Sequence, residues 1–229
     1  MTAVFFTALG GCLLVPYIVL RSQKKGLLGL YFKVVVSACF ILTAAALILK
    51  GEAHSRLQMG VLLGLFFGVL GDIFLDIKDM YPEHKDAHVF AGFLSFMTGH
   101  FCFLAGMEAA YGFELRGVLV AALAGLTLAA GVLLTEKPMQ LRYGKFKAIS
   151  LVYGFVLAFM TATAWVAYAV RGAGQAMLMG IGGALFLASD LVLSATFFGE
   201  GHDRPINYAL NYTLYYGAQF VIAWSLRII

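Results

Sequence analysis

Charge is missing from this chain for fifteen to twenty-three residues at a time. Residues 1–20, 34–49, 57–71, 87–107, 117–135, 148–170, 172–189 and 205–226 contain no Asp, Glu, Lys or Arg. About 20 apolar residues cross the hydrocarbon of a bilayer as a helix, and the two shortest runs reach that length by taking in Lys33 or Asp72. The runs are continuous and do not alternate, which excludes a transmembrane β-barrel. Only 12% of the 229 residues are charged, against about 25% in a soluble domain, and the mean hydropathy is +0.89. The pattern predicts an all-α, polytopic membrane protein, a single integral membrane domain over 1–229. Its eight transmembrane helices fall at about 2–20, 28–49, 57–76, 88–107, 115–134, 148–170, 176–198 and 207–227.

The connections are too short to hold a soluble domain. The first apolar run lacks a basic leader and reads as a retained helix, not a signal peptide. Cys12, Cys39 and Cys102 are odd in number and sit in apolar spans, as inert thiols do. Basic residues are confined to short loops, which argues against a nucleic-acid partner. Eleven of the sixteen are expected at one end of the bundle: Arg21, Lys24, Lys25, Lys33, Lys78, Lys85, Lys137, Arg142, Lys145, Lys147 and Arg204. The positive-inside rule makes that end cytoplasmic and both termini external, in a plasma or inner membrane.

Against this background the polar residues within the spans stand out. A carboxylate in hydrocarbon costs roughly 2.5–3.5 kcal/mol even on insertion scales, and such groups face the bundle interior. Asp72 ends the run 64-GLFFGVLGD-72, and Asp190 lies deeper in 182-GGALFLASDLVLSATFF-198. With the expected topology, Lys33, Asp72, Tyr153, Asp190, Asn211 and Tyr215 share the cytoplasmic half of the bundle. Ser189 adjoins Asp190; His100 and Gln219 lie at mid-depth. Lys33 either joins such a cavity or snorkels to the interface. His100 reads equally as a hydrogen-bonded core histidine, and Tyr153, Tyr215 and Tyr216 as interfacial aromatics. Asp76 and Asp79 read as solvated loop charges. Gly60, Gly64, Gly68 and Gly71 are spaced for close helix packing.

Asp72 and Asp190 each follow a Gly by eight residues and precede a Leu by three. His100 then follows Asp72 by 28 positions, and Gln219 follows Asp190 by 29. Two parallel four-helix halves would produce this spacing, as would chance among Gly-rich apolar helices.

Known chemistries narrow quickly. Asp72, Asp76 and Asp79 share a helical face that suits Mg²⁺ and a diphosphate, but 190-DLVLSATFFGEGHD-203 lacks the second acidic motif such enzymes need. The GxGD motif of intramembrane aspartyl proteases fails at Val69, and neither HExxH nor GxSxG occurs. No metal and no cofactor is expected.

The ordered set formed by Lys33, 71-GDIFL-75, 95-SFMTGHFCFL-104, 183-GALFLASDLVLS-194 and 215-YYGAQ-219 resembles the YhhN-type lysoplasmalogenase family. The likeness spans nearly the whole chain. It departs at 101-FCFL-104, where Cys102-Phe103 replaces the more usual aromatic after the His, and at Val34, where Pro is common. The resemblance implies an eight-helix membrane enzyme whose partner is a lysophospholipid substrate in the bilayer. The implied reaction is hydrolysis of the vinyl-ether bond of lysoplasmalogen, giving a fatty aldehyde and a glycerophospho-alcohol.

The residues suit that reaction. A vinyl ether hydrolyses by protonation at carbon, addition of water to the oxocarbenium ion, and collapse of the hemiacetal. This requires one carboxyl that keeps its proton at neutral pH and one carboxylate, and burial together with a neighbouring acid can separate two such groups. Asp72 and Asp190 are the expected catalytic pair. Lys33 is available to hold a phosphate, and His100, Tyr153, Ser189, Asn211, Tyr215 and Gln219 to orient substrate, water and acids. The competing class is a proton-coupled transporter or lipid-binding protein that uses the same two acids as a relay.

Overall fold

The computed structural model describes residues 1–23, 26–50, 56–199 and 204–227; Lys24 and Lys25 of the basic loop, and Asp203, lie outside them. Eight α-helices account for most of the described chain: α1 (Thr2–Ser22), α2 (Gly26–Ile48), α3 (Arg56–Ile77), α4 (Lys85–Tyr111), α5 (Leu115–Thr135), α6 (Lys147–Arg171), α7 (Gly174–Phe198) and α8 (Pro205–Trp224). No strand occurs among the described residues, only an isolated bridge between Leu141 and Gly199.

Local chemistry explains the boundaries. Pro82 opens a short 3-10 turn, Pro82–His84, and α4 follows from Lys85, three residues before the expected start. Gly112 and Gly172 stop α4 and α6 with φ of 65° and 66°, a conformation that costs glycine little. Pro205 occupies the first turn of α8, where its missing N–H breaks no helical bond.

Six of the eight helices are long and apolar enough to cross a membrane: α1, α2, α3, α4, α6 and α7, with the short 3-10 turns counted into α4 and α6. α5 contributes a shorter apolar stretch over Leu115–Gly131. α8 carries Asn207, Asn211, Gln219 and four tyrosines, which lowers its hydropathy. The polar groups turn inward, and Asn211, Tyr212, Tyr215, Tyr216 and Gln219 are all buried.

The helices close a ring. Going round it, α2 packs on α3, α3 on α4, α4 on α6, α6 on α7, α7 on α8, and α8 on α2. α1 covers the outside at α2 and α8, and α5 covers α6. The neighbours of α1–α4 thus recur for α5–α8: α1 on α2 and α5 on α6, α2 on α3 and α6 on α7, α3 on α4 and α7 on α8. The α4–α6 and α8–α2 contacts join the two sets of four. The connections after α1, α3, α5 and α7 meet at one end, tied by Arg21–Asp79, Lys145–Asp86 and the Arg142 N–H to Phe198 carbonyl bond. That end is the basic one.

α3 and α4 make the closest pairing, through glycine. A Cβ on Gly60 would lie 2.6 Å from the Cys102 carbonyl oxygen and 2.7 Å from Gly106 Cα. Backbone cannot yield there as a flexible side chain would. Gly60→Val is therefore expected to destabilise the protein by roughly 1–3 kcal/mol. Gly11→Ala, where nothing lies within 4 Å, should leave it unchanged. Thermal unfolding of the two variants in detergent checks this, and equal transition temperatures would refute the packing assignment.

Candidate active site

Inside the ring at the basic end lies a cavity of about 620 Å³, within the usual range for a small-molecule site. Lys33, Asp72, Tyr153, Ser189, Asp190, Asn211 and Tyr215 all line it, and so does Asp76. Leu75, Val89, Phe93, Leu128, Leu157 and Leu187 supply its apolar wall. Gly131 and Gly154 also line it, with nothing within 4 Å of where a Cβ would stand, so the space beside α5 and α6 is open to a chain. At the inner end Phe96, Phe186 and Tyr215 meet edge to face, with ring centroids 5.3–6.0 Å apart.

The first acid is built by α2, α3 and α8. Lys33, 3% exposed, reaches Asp76 Oδ1 at 2.9 Å and Asp72 Oδ1 at 3.3 Å. Lys33 thus does not snorkel. On α2 and α3 the pairs Lys33/Ser37 and Asp72/Asp76 are each spaced i, i+4, so each pair shares a helix face. Asp72 Oδ2 accepts hydrogen bonds from the Ser37 hydroxyl at 2.9 Å and the Tyr215 hydroxyl at 2.8 Å. Tyr215 in turn accepts from Gln219 Nε2 at 3.0 Å, and Tyr216 lies 3.1 Å from Ser37 Oγ. Every oxygen of Asp72 is therefore held.

The reading of Asp76 as a solvated loop charge is incorrect: it is 5% exposed, in the last turn of α3, and paired with Lys33. Asp79 does point outward. Its carboxylate is taken by Arg21 at 2.5 Å and lies 3.5 Å from Lys78. The acidic face of Asp72, Asp76 and Asp79 does not converge on one point, because two of its carboxylates turn to Lys33 and the third to Arg21.

The second acid is built by α6 and α7. The Tyr153 hydroxyl donates to Asp190 Oδ2 at 2.5 Å. No ion pair reaches Asp190 among the described residues. Asp190 and Asp72 face one cavity, yet each bonds to its own set of partners and no hydrogen bond joins them. Two acids on one cavity, and not a proton-sharing pair in contact, is the arrangement seen.

Other expected site residues take different places. Ser189 and Asn211 clasp α7 to α8: Asn211 Nδ2 donates to the Ser189 carbonyl at 2.8 Å and to its hydroxyl at 3.0 Å. His100 and Gln219 each lie one helical turn beyond the aromatic barrier and do not line the cavity. His100 is 1% exposed among Phe103, Tyr153 and Phe186, and neither ring nitrogen has a partner among the described residues. Sequence reasoning missed Ser37, and also the role of Tyr216. The signal for Ser37 was its position one turn from Lys33.

The model of the YhhN family matches residues 28–226, a segment that includes every residue of this cavity except Arg21 at its rim. No curated protein and no solved structure matches the chain.

Breaking a buried ion pair by removing one partner costs about 3–5 kcal/mol, because the other charge is left uncompensated. Lys33→Met is expected to destabilise the protein by that amount, and adding Asp76→Asn to recover part of it. A double-mutant cycle on unfolding free energies reads the coupling; strict additivity would contradict the arrangement.

Proposed function

Because the chain belongs to the YhhN family, we propose that it hydrolyses the vinyl-ether bond of an alkenyl lysophospholipid, releasing a fatty aldehyde and a glycerophospho-alcohol. The observation that carries this reading is that Asp72 and Asp190 both open onto one apolar-walled cavity, Asp72 beside Lys33 and Asp190 in no ion pair among the described residues.

That asymmetry divides the labour. Asp190, bonded to a phenol, donates its proton to the outer vinyl carbon, and an oxocarbenium ion forms at the carbon bearing oxygen. Asp72, fixed by Lys33, Ser37 and Tyr215, supplies the negative charge that stabilises the cation. A carboxylate then takes a proton from the attacking water. The hemiacetal then collapses: its hydroxyl proton passes to a carboxylate, the carbon–oxygen bond to glycerol breaks, the glycerol oxygen takes a proton from the carboxyl that gained one from water, and the aldehyde leaves. Two carboxyls flanking an oxocarbenium-like transition state is the arrangement glycosidases use for the same electronic problem.

Lys33, Ser37, Tyr153 and Gln219 are positioning residues in this scheme. They hold the acids and touch no reacting atom. The hydrocarbon chain lies along Leu128, Gly131, Gly154 and Leu157. The basic end faces the cytoplasm, by the distribution of lysine and arginine.

Asp190→Asn and Asp72→Asn preserve shape and remove proton donation or charge. Each should lower the rate of aldehyde release by purified protein about 10²–10⁴-fold, the usual contribution of a general acid or base. The double variant should lose little more, since groups acting in one step are not additive. A folded Asp190→Asn protein with near-normal turnover would remove Asp190 from the chemistry.

A further inference from the structure

Above the acids, the rim of the cavity is cationic. Arg21, Lys78 and Lys85 all line it, and among the described residues the rim carboxylate in contact with them is Asp79. Arg21 takes that carboxylate at 2.5 Å, leaving Lys78 at 3.5 Å. Lys78 is only 7% exposed, and its ammonium donates to the Leu75 carbonyl at 2.6 Å and more weakly to Asp79. The ammonium groups of Lys78 and Lys85 lie 5.3 and 5.6 Å from the centre of the same ring, Phe197. Lys85 makes no ion pair among the described residues.

Two features make this rim unsatisfied as it stands. Burial, with Arg21 nearby, pulls the Lys78 amine down to about 8, although Asp79 opposes the shift. Lys85 begins α4, where no side chain caps the helix and the dipole disfavours a cation. Asp86 in the same turn is engaged by Lys145. An anion bound between the two lysines would relieve both.

We propose that Lys78 and Lys85 form a binding site for the phosphate of the lysophospholipid head group, which sets how deeply the substrate enters. This rests on the vinyl-ether hydrolase reading and assigns the phosphate to the rim, whereas Lys33 is occupied by Asp72 and Asp76.

Two rulers give the spacing. Lys78 lies six residues beyond Asp72, one past the end of α3, and Phe197 seven beyond Asp190 on α7, about 9 and 10 Å at the helical rise of 1.5 Å per residue. From the phosphorus through the glycerol and the ether oxygen to the carbon that must be protonated is seven bonds. Extended, that is roughly 9 Å, from ordinary bond lengths. A phosphate on the rim lysines therefore brings the vinyl ether to the level of the two acids.

The test compares binding of a non-hydrolysable alkyl lysophospholipid and the matching phosphate-free alkylglycerol to purified protein. Lys85→Gln alters an exposed side chain, and Lys78→Met keeps the buried stem. Each should lower the ratio of lysophospholipid to alkylglycerol affinity about tenfold or more, as expected for a charge-assisted hydrogen bond, with Lys78→Arg restoring part of the ratio. An unchanged ratio in both variants would overturn the site. So would inorganic phosphate that displaced the lysophospholipid at equal concentration, since the site would then be one for free phosphate. Binding is measured without turnover, so these results stand apart from whether the wild-type protein releases aldehyde, which is the separate test of the hydrolase reading.

Discussion

The Lys33 ammonium, held between Asp72 and Asp76 in the interior of an apolar bundle, governs how the helices come together. Three charges out of water incur a large desolvation penalty, repaid only when geometry is close and the remaining lone pairs are filled. At Asp72 they are filled. Ser37 and Tyr215 complete Asp72, and Gln219 and Tyr216 anchor those hydroxyls in turn. The cluster joins α2, α3 and α8, which are the elements that must meet for the first half of the ring to close on the second. A polar core of this kind specifies one arrangement of helices that apolar faces alone would leave interchangeable.

The two halves of the chain solve the same packing problem with different chemistry. In the first, α2 presents a cation to an acid on α3; in the second, α6 presents a phenol to an acid on α7. Lys33 precedes Asp72 by 39 positions and Tyr153 precedes Asp190 by 37, so the partners stand at nearly matching places. The neighbour relations of the helices repeat in the same sense. A scaffold whose neighbour relations largely repeat, with this chemical difference between its halves, places two unlike carboxyls on one cavity, as acid-catalysed hydrolysis of a vinyl ether requires.

Much of this was legible in the sequence because hydrocarbon is an unforgiving solvent. Charge-free runs fix the helices, and Asp72 and Asp190 are conspicuous because an acid inside such a run needs a reason. Asp76 was misread because it sits where the run ends, and an acid at a helix end looks the same whether it turns out to water or back to a lysine. Only the i, i+4 match of Lys33/Ser37 to Asp72/Asp76 hinted at the inward turn. His100 was drawn into the site by its depth, but depth does not say on which side of an aromatic barrier a residue falls. The packing of Phe96, Phe186 and Tyr215 decides that, and it depends on α4 meeting α7 and α8, which lie far from it in the chain. α8 shows the converse limit, because its hydropathy is lowered by residues such as Asn211, Tyr215 and Gln219 that turn into the bundle.

Protonation of carbon by a protein carboxyl is open to measurement through turnover of a lysoplasmalogen by the purified protein in D₂O, with the aldehyde trapped as it forms. Such a proton transfer leaves one deuterium on the carbon next to the aldehyde group and runs more slowly than in H₂O. Aldehyde released without that deuterium, or no aldehyde at all from folded protein, would contradict it.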